Sequence, residues 1–260
     1  MRAESEQILI TCGSSDALGL LWRTFGHAGA QRVAVEDPSW PRISETITQA
    51  GLPAVPLPVD SRGLVVSELD ASGARAVVVS PSHQYPTGAV MHPARRAELI
   101  AWARRTGGLV VEDGYDAEDR YDGTPIASLQ SLAPDHVAYI GTCSKILAPG
   151  LRLGWLIVPD RLAGEQATAH GVAYAQPSVI TPAGYANLLE RGDVDWHLRR
   201  TRRVYRARRA ALVQALAAEL PEVRVQGASS GLHLMAWLPP HADETTVSAR
   251  ARTARGRAAR

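Results

Sequence analysis

The stretch GTCSKILAPGLRLGW, residues 141–155, contains the only lysine of a 260-residue chain whose other 27 permanently cationic side chains are all arginine. Richness in arginine, alanine and glycine looks like a coding bias that is blind to chemistry, so the one position that escapes it is informative. A guanidinium stays protonated, whereas an ammonium can be tuned to the neutral amine and attack a carbonyl. The bland alternative for Lys145 is a solvated surface side chain, weakened here because arginine fills every other cationic position. Thr142 and Ser144 bring hydroxyls, Pro149 and Gly150 supply a turn, and Arg152 follows. Hydroxyl donors and a bidentate guanidinium together suit a phosphate group.

Outward from this stretch, HVAYIG (136–141) and LRLGWLIVP (151–159) read as strands. QILIT (7–11), RVAVED (32–37), PAVPLPV (53–59), RAVVVS (75–80) and GLVVED (108–113) also read as extended. Between them lie the helical stretches SSDALGLLWRTFG (14–26), PRISETITQAG (41–51) and PARRAELIAWARRTG (93–107), marked by serine or proline near the start and glycine at or near the end. Strands alternating with helices predict an α/β domain with a largely parallel sheet. The strands show little polar alternation, as expected when both faces are covered. After residue 177 the rhythm changes. A helix is predicted over 178–192, a long one over 193–220, and two short strands at EVRVQ (222–226) and GLHLMAWL (231–238). The domains expected are a large domain over 1–194, a connector helix and the start of a small domain over 195–240, and a disordered tail over 241–260.

Hydrophobic residues make up 45% and charged residues 21%, enough for a substantial core. No apolar run reaches the ~18 residues of a membrane span, and the N-terminus does not read as a secretory signal. Two cysteines, Cys12 and Cys143, make neither a disulfide framework nor a zinc motif; a cytoplasmic location is expected. The net charge of +2 is too small to argue for nucleic acid. The seven arginines of HLRRTRRVYRARR (197–209) are better read as a solvated helix face than as a nucleic-acid patch.

Four further segments carry candidate chemistry. Asp113 ends a strand, where open α/β sheets place ligand groups; it suits an ion pair to a protonated pyridine nitrogen, with a turn-forming carboxylate as the alternative. Tyr115 offers a donor to a ring oxygen, and Asp116, Glu118 and Asp119 read as solvated loop charges. Gly13, Ser14 and Ser15 open a helix whose free N–H groups suit a phosphate, although serine is also the ordinary N-cap. Trp40, in EDPSWP, is placed either to stack on a flat ring or to pack on the sheet. His83, Gln84 and Tyr85, in PSHQYPTG, are pocket or turn residues. An aldehyde cofactor, pyridoxal 5'-phosphate, would use the amine of Lys145, forming a Schiff base.

In this order, ILITCGSSDAL, VEDPSWP, SPSHQYPTG, VEDGYDAEDRYDG, GTCSKILAPGLRLGW and SSGLHLMAWL resemble the fold-type-I pyridoxal-phosphate enzymes of the class I/II aminotransferase superfamily. They are most similar to the aminotransferase-like domain of MocR-type regulators in the GntR family. The resemblance covers about residues 7–238 and implies a three-layer α/β/α large domain with an incomplete small α+β domain. It implies that Lys145 holds the cofactor and shuttles a proton, Asp113 pairs with the pyridine nitrogen, Tyr115 with the ring oxygen, and Trp40 stacks on the ring. Gly13, Ser14, Ser15, Thr142, Ser144 and Arg152 would hold the phosphate. Tyr85 stands where many members carry asparagine, and Gly114 where MocR-like domains usually carry a second aspartate. Neither the winged-helix DNA-binding domain nor the N-terminal arm of the family dimer matches any segment, and no residue can be assigned to the substrate carboxylate. The expected activity is transamination of an amino acid to a keto acid by a family homodimer. The alternatives are a sensor of the cofactor and an amino acid that regulates transcription without turnover, or an inactive remnant.

Overall fold

The computed structural model describes residues 3–27, 32–118, 120–121, 126–172, 178–227 and 230–258. In chain order the elements begin with β1 (Ile8–Thr11), α1 (Ser14–His27), β2 (Val33–Asp37), α2 (Pro41–Gln49), β3 (Ala54–Asp60) and β4 (Gly63–Leu64). Next come α3 (Leu69–Ser72), β5 (Ala76–Val79), α4 (Pro93–Thr106), β6 (Leu109–Asp113), α5 (Leu129–Leu132), β7 (Val137–Thr142) and α6 (Cys143–Ile146). The chain continues through β8 (Gly154–Ile157), α7 (Asp160–Gly171), α8 (Ile180–Glu190) and α9 (Asp193–Glu219). It ends with β9 (Arg224–Gln226), β10 (Met235–Trp237) and α10 (Glu244–Ala258).

Eight strands form one mixed sheet in the order β1-β8-β7-β6-β5-β2-β3-β4. The central run from β7 to β3 is parallel, and β8, β1 and β4 pair antiparallel at the two sides. The period of two along a strand divides the core. In β5, Ala76 and Val78 join Leu18, Leu21 and Trp22 of α1, Ile43 and Ile47 of α2 and Ala163 of α7 on one face. Val77 and Val79 join Leu99, Trp102 and Ala103 of α4 and Leu129 of α5 on the other. This is the expected three-layer α/β/α architecture, with central strands buried on both faces.

Several expectations are corrected. The strand predicted over 151–159 begins only at Gly154, because residues 149–151 form a 3-10 turn and Arg152 adopts a left-handed conformation, φ 49°. The predicted disordered tail contains α10, whose alanines and arginines favour helix without providing an apolar stripe. α7 had no sequence signal: it is held by the small Ala163 and by Gln166, which donates to Thr24 Oγ1 of α1.

α9 is only partly a solvated face. Val194 and Leu198 near its start bury against Ile146 of α6, and His197 Nε2 donates to the Ile146 carbonyl, 3.0 Å. Further along, Arg202 Nε donates to the Glu118 carbonyl at 2.6 Å, Arg206 to the Tyr121 carbonyl, and Arg209 to the Gly227 carbonyl at 3.3 Å. These three arginines lie one helical turn apart on one face. No helix of the described residues is long and apolar enough to cross a membrane.

Candidate functional site

The C-terminal ends of β2, β5, β6 and β7 and the N-terminus of α1 converge on one cavity of about 740 Å³, as expected for an open α/β sheet. Nine of the ten predicted site residues line it: Ser14, Ser15, Trp40, Asp113, Tyr115, Thr142, Ser144, Lys145 and Arg152. The tenth, Gly13, lies directly behind Arg152: a Cβ on it would stand 3.7 Å from the guanidinium, and its φ of +96° favours glycine. Of the PSHQYPTG residues, Tyr85 lines the cavity, while His83 and Gln84 are buried behind it.

Lys145 rises from the four-residue helix α6, whose underside, Cys143 and Ile146, is buried. Thr142 caps this helix by accepting from Ser144 N–H at 3.1 Å, and the two hydroxyl oxygens stand 3.1 Å apart. A short helix is marginal alone; Ile146 is pinned from below by α9, so the lysine stands on a fixed base. Arg152 is the only non-glycine residue at positive φ among those described. That strained backbone aims its guanidinium toward Gly13 and the start of α1, where the helix dipole adds to its charge.

Asp113 is 7% exposed, and its Oδ1 has no hydrogen-bond partner among the described residues. Burial, with the charge of Asp116 next, pushes its carboxyl up to about 7; the Tyr115 N–H and Lys145 oppose this. A buried carboxylate with a free oxygen on a cavity wall is a receptor for a cation or an N–H donor. The residues thus fit pyridoxal phosphate at both ends, with an acid for the ring nitrogen and a cationic, hydroxyl-lined corner for the phosphate.

Trp40 is 37% exposed and sits at the N-cap of α2, followed by Pro41 at the first helical position. Tyr115 Oη donates to the His83 carbonyl at 3.0 Å and lies 3.3 Å from His83 Nδ1. Asp116, predicted as a solvated charge, is 3% exposed and meets His83 Nδ1 at 2.7 Å. Glu118 is partly buried and lends its backbone carbonyl to Arg202; Asp119 lies outside the described residues. Gly114 has no room for a side chain, since a Cβ would fall 2.1 Å from Tyr139 Oη.

The residue missed from sequence is Glu36. It is buried, its Oε2 accepts from Ser80 N–H at 3.1 Å and Gln84 Nε2 at 3.4 Å, and burial pushes its carboxyl up to about 8. Gln84 Nε2 also donates to the Pro38 and Tyr85 carbonyls, both at 2.7 Å. Together they lock the Trp40 loop to the Tyr85 loop. The local signal was an acidic residue directly after the apolar run Val33–Val35.

Residues 1–254 match the family described as Aminotransferase class I and II. The HTH-type pyridoxine biosynthesis transcriptional regulator PdxR of Corynebacterium glutamicum is 35% identical over 96% of this chain and 55% of its own length. The probable rhizopine catabolism regulatory protein MocR of Rhizobium meliloti is 31% identical over 89% of this chain and 47% of its own. The crystal structure of Pyrococcus horikoshii kynurenine aminotransferase superposes with a TM-score of 0.84 at 28% identity, covering 95% of this chain and 63% of that one. The chain therefore spans about half the length of these curated relatives. With the fold, the cavity and the match over nearly its whole length in agreement, the chain belongs to the class I and II aminotransferase family.

Proposed function

We propose that the chain binds pyridoxal 5'-phosphate in this cavity and serves as the amino-acid-sensing part of a transcriptional regulator. The observation that carries the cofactor assignment is the buried Asp113 carboxylate, with an unpartnered oxygen, on the wall of the cavity that Lys145 enters. The regulatory half of the proposal rests on the likeness to PdxR and MocR, both named as regulators.

When bound, pyridoxal phosphate supplies an aldehyde that captures amines and an electron-poor ring that stabilises negative charge at the substrate carbon. Arg152, the start of α1 and the hydroxyls of Thr142 and Ser144 would hold the phosphate. Asp113 would keep a proton at the ring nitrogen, and Trp40 would pack on the ring. Lys145 Nζ would be the amine that meets the aldehyde. Tyr115 Oη, which donates to the His83 carbonyl, would be the donor nearest the ring oxygen. A homodimer belongs to the same reading: Val172, Val179 and Ile180, 76%, 82% and 79% exposed, offer apolar surface to a second copy.

A second reading is transamination, favoured by the exposed position of Lys145 on the cavity, where its freed amine can accept a proton from a bound amino acid and return it. One experiment separates the two. The purified chain is mixed with pyridoxal phosphate, followed by visible absorption, and treated with borohydride to lock the cofactor onto Lys145. Absence of a band with folded protein refutes both readings. Where the band forms, amino acids are added. A saturable spectral change without keto acid supports sensing; keto acid release at the rate of the spectral change supports transamination and refutes a sensor without turnover.

A further inference from the structure

Behind the cavity wall, three side chains from distant parts of the sequence converge: His83 after β5, Asp116 after β6, and His233 just before β10. One ligand atom from each lies within 4.8 Å of the other two. His83 and Asp116 are 2% and 3% exposed, and Nε2 of His233 is buried without a hydrogen-bond partner among the described residues. The two imidazole rings stand 4.4 Å apart at 40°. Two imidazoles bound to one tetrahedral ion, each through a nitrogen at about 2.1 Å, place their centres about 5 Å apart, so the rings must open by roughly 1 Å.

We propose that His83, Asp116 and His233 form a zinc site that fastens the segment leading into β10 to the large sheet. Two imidazoles and one carboxylate are a donor set that zinc accepts, with a fourth position left for water. Bringing the ligand atoms to the spacing around one ion, about 3.3 Å, needs shifts on the order of 1 Å. His83 meets the ion through Nδ1, the nitrogen that faces Asp116 Oδ2, and the Pro86 and Gln84 carbonyls beside His233 serve as outer contacts. Gly231 permits the approach, because a Cβ there would lie 2.0 Å from His83 Cε1 and 2.6 Å from Asp116 Oδ2.

The fastened segment is short and thinly packed among the described residues. β9 and β10 are three residues each, and none of their residues is buried. Tyr121 Oη donates to the Gly231 carbonyl at 2.6 Å, and Ser230 bridges to Arg120. A metal joining residues 83, 116 and 233 would cross-link these two parts as a disulfide does, by free energy released only in the folded state. Leu232 and His233 also line the cavity, so the clamp sets the position of one of its walls.

The test uses the full chain without an affinity tag and without pyridoxal phosphate, so its outcome is independent of the cofactor assignment. After chelator treatment the protein is dialysed against micromolar zinc chloride and analysed for metal and thermal stability. The expected result is about one zinc per chain and a rise in Tm of about 5 °C. Both are lost in His233→Gln and in Asp116→Asn, and cobalt gives a visible spectrum of low coordination number in the unaltered protein only. His233 is only half-buried, so His233→Gln decides if Asp116→Asn does not fold. Uptake below about 0.2 zinc per chain by folded protein overturns the proposal. So does equal uptake in the variants, which places the metal elsewhere.

Discussion

Replacing Asp113 by asparagine should make the cofactor-free protein more stable at neutral pH while weakening the cofactor's hold. The carboxyl is raised from its ordinary 3.8 to about 7. It therefore binds its proton more tightly in the folded chain than in the unfolded one. Its stabilising contribution is fully present below about pH 3.8 and is lost as pH rises through about 7. Above that, the native state bears a buried charge, at a cost of about 4 kcal/mol relative to an ordinary aspartate. At pH 5.5 the native carboxyl is protonated while the unfolded one is ionised, and the cost is about 2 kcal/mol. The amide would keep the shape of the carboxyl and lose its titration. In a chain of this size, with about 2–4 °C per kcal/mol, Asp113→Asn should raise Tm by about 10 °C at pH 8 and about 5 °C at pH 5.5. The measurement is thermal unfolding of the cofactor-free protein at the two pH values. A variant no more stable than the parent at pH 8, or an advantage that does not shrink at pH 5.5, would refute the reasoning. With pyridoxal phosphate present the order should reverse, since the variant offers no countercharge to a pyridinium; its Kd should rise at least about tenfold.

Lys145→Arg retains charge and length at an exposed position, so Tm should stay within about 1 °C while the borohydride-stable label disappears. Arg152→Gly relieves a strained φ worth about 1 kcal/mol and removes the bidentate phosphate contact. Its Tm should rise by about 2–4 °C while Kd for pyridoxal phosphate, from a fluorescence titration, weakens about ten- to hundredfold. Gly114→Ala should cost about 3 kcal/mol in a urea titration by overpacking against Tyr139. Adding Tyr139→Phe should not restore it, because the ring carbon Cζ still lies 2.4 Å from the new methyl.

Strands were the most legible part of the fold, because β2, β5, β6 and β7 are β-branched runs buried on both faces, a signal contained within each segment. Helices held by polar or small residues were not legible. α7 buries only Ala163 and Gln166, and α10 has no apolar stripe. The site was legible where its chemistry is local to a motif, as at Lys145 and Asp113. It was illegible where two segments must meet. Nothing around Asp116 tells that His83 lies 2.7 Å away, or that a glycine in a distant segment, Gly231, leaves room for both. Glu36 shows the same limit: an acid at the end of a buried strand is visible, but its partners at Ser80 and Gln84 are set by sheet order.

The arginine contacts of α9 with the body of the protein use side chains on one side only. Arg202, Arg206 and Arg209 hold the backbone carbonyls of Glu118, Tyr121 and Gly227, which every amino acid possesses. A substitution at position 118, 121 or 227 leaves these acceptors in place, whereas a substitution of an arginine removes its donor. Covariation between these arginines and the residues whose carbonyls they hold should therefore be weak. Because the acceptors are neutral dipoles, added salt should loosen these contacts less than it would loosen pairs of opposite charges.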